Sequence, residues 1–449
     1  MKIVSLYKIN NSISFIIKLF WLCYISIFIK FYEYNERDSK INCNFINNIN
    51  EIRLGIVSPS LKNGGIERQT SLILNYFSKL KIFSLILFTK KKKEKNEYLI
   101  DKNIKRIILD NNLIDYLIIE KIDILIYQFY DYKEINSLNK LKNIKIIIFN
   151  RSCFLHWIYY NDYDKFKNYY HSIKNCKYII SLVPFENDYL LKKWGIDSIL
   201  MTNFLTYDFN SVIPSTLSSK IILMIGRADD KIKRFDLGIK AMNYIIKEII
   251  DCRMKIISKN DNLYYLKNLT NTLKINNFIQ FVGYTSKPEI FFKNASLHLF
   301  PTLVESFGNV LTETLTYGIP NILVGLDYVS AAKGGTIIIY DDSPVSLANI
   351  AIKILKNSRL KKKIGKEARK SMKKYRNDLL LKRWANLIFS IYKGYNYYKA
   401  LQNKDKVLHI NEARKILENQ IILLKKRKKE LVNITIYNIE NLTFMENLK

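Results

Sequence analysis

The chain is poor in the residues that build metal sites and disulfide frameworks. Among its 449 residues are only 5 cysteines and 4 histidines. Cys23, Cys43, Cys153, Cys176 and Cys252 form no CxxC pair and no zinc-ligand spacing. An odd, dispersed set of this kind points to a reducing, cytosolic setting for the folded part. No cluster of His, Asp or Cys suggests a bound metal. Acid is scarce beside base: 40 Asp and Glu face 72 Lys and Arg, a net charge of +32. Such a field attracts polyanions and anionic membrane surfaces. Yet the excess is spread along a chain crowded throughout with Ile, Asn, Lys and Tyr, and no nucleic-acid motif accompanies it. The densest run, Lys90-Lys91-Lys92-Lys93-Glu94-Lys95, reads as a solvated loop, so no specific nucleic-acid partner is expected.

What the chain has in quantity is short apolar runs. Hydrophobic residues make up 48%, and the length is enough for two or three domains. Ile-rich strand candidates run from Arg53 to Ser58, Ser84 to Phe88, Arg106 to Leu109, Ile122 to Tyr127, Lys145 to Phe149 and Tyr178 to Leu182. A second series runs from Ile221 to Ile225, Met254 to Ser258, Phe278 to Val282, Leu297 to Phe300, Ile322 to Val324 and Thr336 to Tyr340. Helical patterns separate most of them, which predicts an α/β protein with two doubly wound sheets. Ser211 to Ser219, with one proline and a cluster of hydroxyl residues, is the best linker between them. The expected organisation is a first domain over 51–210, a second over 220–375, a helix over 376–400 and a basic extension over 402–449.

The amino terminus carries its own signal. Ser12 to Ile29 is apolar apart from three serines and Lys18, with Phe15, Phe20, Trp21, Tyr24 and Phe28 inside it. It is just long enough to span a bilayer, although Lys18 in the middle is costly. No small-residue cleavage site follows, so residues 1–33 are expected to remain as a membrane anchor or interfacial segment. The expected location is membrane-associated, with the catalytic domains in the cytosol.

Three segments carry chemistry. The first is Pro301 to Pro320, PTLVESFGNVLTETLTYGIP. A strand ends at Phe300, Phe307-Gly308 reads as the turn, and Val310, Leu311, Thr314 and Leu315 form one face of the next helix. Free N–H groups around Phe307, Gly308 and Asn309 would suit a phosphate. Glu305 and Glu313 would accept hydrogen bonds from two groups of one elongated ligand, each bond worth roughly 1.5–3 kcal/mol. Acids eight positions apart also arise by chance, and one at a helix start is favoured by the dipole alone. The second is Ile221 to Met242, a strand, Gly226-Arg227, a polar loop and a helix carrying Phe235, Leu237, Ile239 and Met242. Arg227 and Lys233 would face phosphates, with Lys231 and Arg234 competing for the second cationic role. The third is Gly64-Gly65 after the first strand, followed by a helix from Ile66 through Glu67 and Arg68 to Phe77. Its glycines would let backbone amides approach a phosphate or sugar without a Cβ in the way.

Taken in order, the three segments resemble retaining glycosyltransferases of family 4 (glycosyl transferases group 1). The first matches their Glu-x7-Glu signature, the second their Gly-Arg and Lys pair, and the third their Gly-Gly-x-Glu-Arg loop. The resemblance implies a GT-B fold, two Rossmann-like domains facing a central cleft, with the 376–400 helix crossing back to the first. It implies transfer of a hexose from a nucleotide diphosphate sugar to a hydroxyl of a glycan or glycolipid acceptor, without a metal, and the apolar amino terminus would set this at a membrane surface. Glu305, Arg227 and Lys233 would be the catalytic residues. Gly64, Gly65, Gly226, Ser306, Phe307, Gly308, Asn309 and Glu313 would complete the donor site. Many relatives carry a histidine at the end of the strand matching Ile144 to Phe149. Here that strand ends in Asn150-Arg151-Ser152, with His156 a few residues on. Two other classes stay open, an inactive GT-B scaffold subunit and a basic nucleic-acid-binding α/β protein.

Overall fold

The computed structural model describes residues 51–394 apart from 63, 111, 161, 229–230 and 259–262, together with 418, 419 and 422. The expected anchor over 1–33 and nearly all of the extension over 402–449 lie outside the described residues. Among the described residues no helix is long and apolar enough to cross a membrane.

Two fully parallel sheets form the scaffold. The first contains β1 (Ile52–Ser58), β2 (Phe83–Thr89), β3 (Lys105–Ile108), β4 (Ile124–Tyr127), β5 (Lys145–Phe149), β6 (Tyr178–Ser181) and β7 (Ile199–Leu200), in spatial order β3-β2-β1-β4-β5-β6-β7. The second contains β8 (Ile221–Ile225), β9 (Arg253–Ile257), β10 (Ile279–Phe281), β11 (Leu297–Phe300), β12 (Asn321–Val324) and β13 (Thr336–Ile339), in order β10-β9-β8-β11-β12-β13. In each sheet the strand order reverses once, at β1/β4 and at β8/β11. Parallel strands buried on both faces need continuous apolar runs, and β4, β11 and β12 are buried at every position. In doubly wound sheets ligands bind at the carboxyl ends beside such a reversal. The loops that begin at Gly226 and at Pro301 leave the second sheet at its reversal.

The apolar core of the first sheet reaches into the second half, while β8 and β9 build a separate core of their own. The cluster built on β1, β2, β4 and β5 continues into Leu303, Val304, Phe307 and Leu311 of the Pro301–Pro320 segment. Closure between the sheets is therefore packed as well as hydrogen-bonded. The helix Asn377–Lys393 lies against the first sheet's half. Its fully buried Trp384 sits between Phe77 and Phe149, with ring centroids 5.9 and 5.2 Å away. The Ser211–Ser219 stretch has no regular structure, but Ser215 pins it to the second half through its N–H to the Tyr317 carbonyl at 2.8 Å and its hydroxyl to the Ala295 carbonyl at 2.6 Å.

Candidate active site

Local structure explains why the site loops turn where they do. β8 ends at Ile225 and Gly226 takes a φ of 150°, sending Arg227 out to solvent. The chain then makes a short 3-10 turn at Lys231–Lys233 and enters the helix Phe235–Glu248 through Arg234 in the left-handed region, φ 50°. Burial of Ile232 and Phe235 fixes this turn. The Ile232 carbonyl accepts the Leu303 N–H at 2.8 Å and the Thr302 hydroxyl at 3.1 Å, tying the loop after β8 to the loop after β11. A small hollow lined by Ile225, Lys233, Phe235, Phe300, Pro301 and Thr302 opens at this point.

That tie brings Lys233 onto Glu305. The ammonium donates to Oε2 at 3.0 Å, with both side chains about a fifth exposed (18% and 20%). Burial opposes ionisation of Glu305. The charge and hydrogen bond of Lys233, the attraction of His156 and the Ser306 N–H nevertheless hold its carboxyl below the usual range. Lys231 and Arg234 do not share the place. Lys231 is exposed, and the Arg234 guanidinium faces Asp342 and Asp236 at 3.4 and 3.5 Å.

Gly308 precedes the helix Asn309–Thr316 with φ 79°. A side chain there would be strained by this φ and would press its Cβ to 3.0 Å from that of Leu311. Phe307, by contrast, is packed away, its ring 5.6 Å from Tyr375 and edge-on to it. Ser306 turns toward the first half, where its Oγ accepts the Cys153 N–H at 2.9 Å. Asn309 does the same: its Oδ1 accepts from Asn203 Nδ2 at 2.9 Å and from Gln69 Nε2 at 3.3 Å.

The Gly-Gly loop meets that helix start. Gly64 caps the helix Gly65–Phe77 in extended conformation, and a Cβ on it would collide with the Glu67 carboxylate. A Cβ on Gly65 would stand 3.3 Å from Asn309 Nδ2, so the first turns of the two helices approach each other. Glu313, expected to bind a ligand hydroxyl, is already engaged. Its Oε1 accepts from Arg68 at 3.0 Å and from the Thr206 hydroxyl at 2.8 Å, with its side chain 1% exposed.

Sequence reasoning placed Arg68 on the helix but gave it no role, and it passed over Thr206, Asn203 and Gln128. Thr206, Asn203 and Gln128 lie outside the motifs, and Thr206 and Asn203 find their second-half partners Glu313 and Asn309 only where the halves meet. Arg151 likewise went without a role. It is buried, with Nε donating to Gln128 Oε1 at 2.9 Å and Nη1 to Asn203 Oδ1 at 2.6 Å. His156 stays close enough to act electrostatically on Glu305, and its Nδ1 lies 3.3 Å from the Cys153 carbonyl. Among the described residues, no group of three or more His, Cys, Asp or Glu is arranged to hold a metal ion.

Comparison with known proteins agrees with this architecture. Residues 209–371 match the family model for glycosyl transferases group 1. An uncharacterized glycosyltransferase of Haemophilus influenzae is 24% identical over 155 residues, 34% of this chain and 42% of that protein, so the match spans less than half of the relative. Among solved structures, sucrose-phosphate synthase of Thermosynechococcus elongatus superposes with a TM-score of 0.66 at 14% identity, covering 77% of this chain and 100% of that one. Anabaena HepE, solved with UDP and glucose, superposes with a TM-score of 0.60 at 12% identity over 76% of this chain and 100% of its own. At such identities the likeness is one of fold. The chain thus carries a glycosyl transferases group 1 domain over residues 209–371, set in a fold that matches the GT-B glycosyltransferases.

Proposed function

We propose that the protein is a retaining glycosyltransferase that moves a hexose from a nucleotide diphosphate sugar to a hydroxyl of a glycan or glycolipid. The observation that carries this reading is the Lys233–Glu305 pair at the carboxyl ends of β8 and β11, where the second sheet reverses. A cation and a carboxylate held together there suit the two ends of a sugar diphosphate. Charge develops on the departing diphosphate while the sugar becomes oxocarbenium-like. Lys233 and Arg227 stabilise the first, and Glu305 orients the hydroxyls of the second. The N–H groups at the start of the Asn309–Thr316 helix add positive potential beside the phosphates.

Glu313 holds the ribose in this scheme by sharing Oε1 with Arg68 and Thr206 or by turning its other oxygen to the ligand. The acceptor attacks from the face the diphosphate leaves, and a phosphate oxygen takes its proton, so no strong protein base is needed. The work of neutralising the diphosphate falls to Arg227 and Lys233, and no metal cofactor is invoked. HepE was solved with UDP and glucose, which supports a nucleotide sugar as the donor class. Residues 1–33 are proposed to hold the catalytic halves at the cytosolic face of a membrane. A thermal-shift panel of UDP-, GDP- and ADP-hexoses tests the donor claim: at least one raises Tm in the wild type and does so less in Lys233→Ala. A panel in which none does so removes the proposal.

A further inference from the structure

The Arg151 guanidinium is 7% exposed and has only neutral amide oxygens as hydrogen-bond partners, those of Gln128 and Asn203. Its face lies over the Phe149 ring at 3.7 Å. Nη2 is buried without a hydrogen-bond partner among the described residues. Burial drives its pKa down to about 9, and the charge of Glu67 offsets this only in part. A buried cation with no carboxylate hydrogen-bonded to it is costly, so the place is suited to an incoming anion.

The neighbours of Arg151 link it to two helix amino termini. Asn203, which accepts from it, donates in turn to Asn309, the first residue of the Asn309–Thr316 helix. Gly65, the first residue of the Gly65–Phe77 helix, stands against the same asparagine. Two residues on, the Cys153 N–H reaches Ser306. The segment Asn150–Cys153 therefore docks on Glu305–Asn309 with two helix amino termini beside it. We infer that Arg151 is an anion-binding residue of the cleft between the two sheets, its Nη2 receiving an oxygen of a phosphate or carboxylate group on a bound substrate. This inference deepens the transferase reading and rests on it for the name of the substrate.

Titration calorimetry of the full chain with inorganic pyrophosphate and inorganic phosphate tests it. Arg151→Gln should weaken binding of these anions by about ten- to a hundredfold, the range of one charge-assisted hydrogen bond. Arg151→Lys, which keeps the charge, should stay within a few fold of wild type, and Lys231→Ala should match it. Should Arg151→Gln not fold, Asn203→Asp, which sets a carboxylate on the guanidinium, should weaken anion binding in its place. Competition with UDP, GDP or ADP assigns the anion to the donor's diphosphate. Phosphate binding on top of a saturating nucleotide assigns it to the acceptor. Wild-type protein that binds neither anion, Arg151→Gln that binds them as wild type does, or equal losses in the Gln and Lys variants would each overturn the inference. Failure of the transferase reading shows separately, as no nucleotide sugar consumed while the anion affinities still respond to Arg151.

Discussion

The Arg68 guanidinium and the Glu313 carboxylate meet at 3.0 Å across the two sheets, from positions 245 residues apart. Burial works against the charge on Arg68, but Glu313 and the flanking Tyr207 and Tyr98 keep its pKa raised. The pair clamps the closed form and ties the Gly-Gly helix to the helix of the second half. Arg68→Ala would leave Glu313 buried with the Thr206 hydroxyl alone. Breaking such a pair costs about 3 kcal/mol or more. Thermal unfolding should therefore start several degrees lower in this variant, and an unchanged Tm would show that the contact contributes nothing. Glu313→Gln keeps an acceptor in place but removes the charge facing buried Arg68, so it should lower Tm as well as weaken nucleotide-sugar binding.

The cations after β8 differ in their partners. Lys233→Ala and Arg227→Ala should each lower turnover by on the order of 10²-fold, as expected for loss of one preorganised donor to a leaving group. Exposed Lys231, converted to Ala, should be nearly silent. Initial rates with a saturating donor decide between these. An essential Lys231 beside a dispensable Lys233 would move the phosphate grip to the other end of the turn.

Glu305 is held ionised beside Lys233. Glu305→Gln keeps the size and loses the charge, so kcat should fall at least about tenfold while the affinity for the free nucleoside diphosphate changes little. Equal losses in both would make Glu305 a structural partner of Lys233 instead.

Glu186 gives a pH signature unconnected with the donor. It is fully buried, and one carboxyl oxygen accepts from Tyr169 at 2.6 Å, Asn150 at 3.2 Å and the Phe154 N–H at 3.3 Å. Burial raises its pKa from 4.5 to about 7, against the pull of those hydrogen bonds. The folded protein thus holds a proton that the unfolded chain has released, and stability falls as pH rises from about 4.5 to about 7, by roughly 3 kcal/mol at most. Glu186→Gln should lack this slope. Buried His298, whose pKa is lowered to about 4, acts in the opposite sense, losing stability as pH falls below its ordinary 6.5. It is common to both proteins and cancels in the difference between their Tm–pH curves. Parallel curves would contradict the assignment.

Trp384 anchors the Asn377–Lys393 helix between Phe77 and Phe149. Trp384→Ala should cost about 3–5 kcal/mol. Urea unfolding is the appropriate measurement, and a loss below about 1 kcal/mol would mean that Leu380, Leu387 and Ile391 hold the helix alone.

Strand positions were legible because parallel strands buried on both faces demand apolar runs, and those at Lys145–Phe149, Ile221–Ile225 and Leu297–Phe300 coincide with β5, β8 and β11. Only β7, Ile199–Leu200, escaped, two residues being too few to make a pattern. Local features of the site were legible too: the turn at Phe307-Gly308 shows in the sequence because glycine takes the φ of 79° found there without strain. The cross-sheet pairs were not. Arg68 with Glu313, Asn203 with Asn309 and Cys153 with Ser306 depend on how the two sheets meet, which no local pattern records. Arg151 was hidden for a further reason, since in a chain of +32 one more arginine carries no signal until its burial is known.

The most direct test of the central claim is release of nucleoside diphosphate from a panel of nucleotide sugars by the purified full chain, run beside Lys233→Ala and Glu305→Gln. The account predicts release from at least one nucleotide hexose, accelerated by a glycan or glycolipid acceptor, with the sugar's anomeric configuration kept in the product and the rate sharply reduced in both variants. No release from any donor, or release that both variants sustain at the wild-type rate, would contradict it.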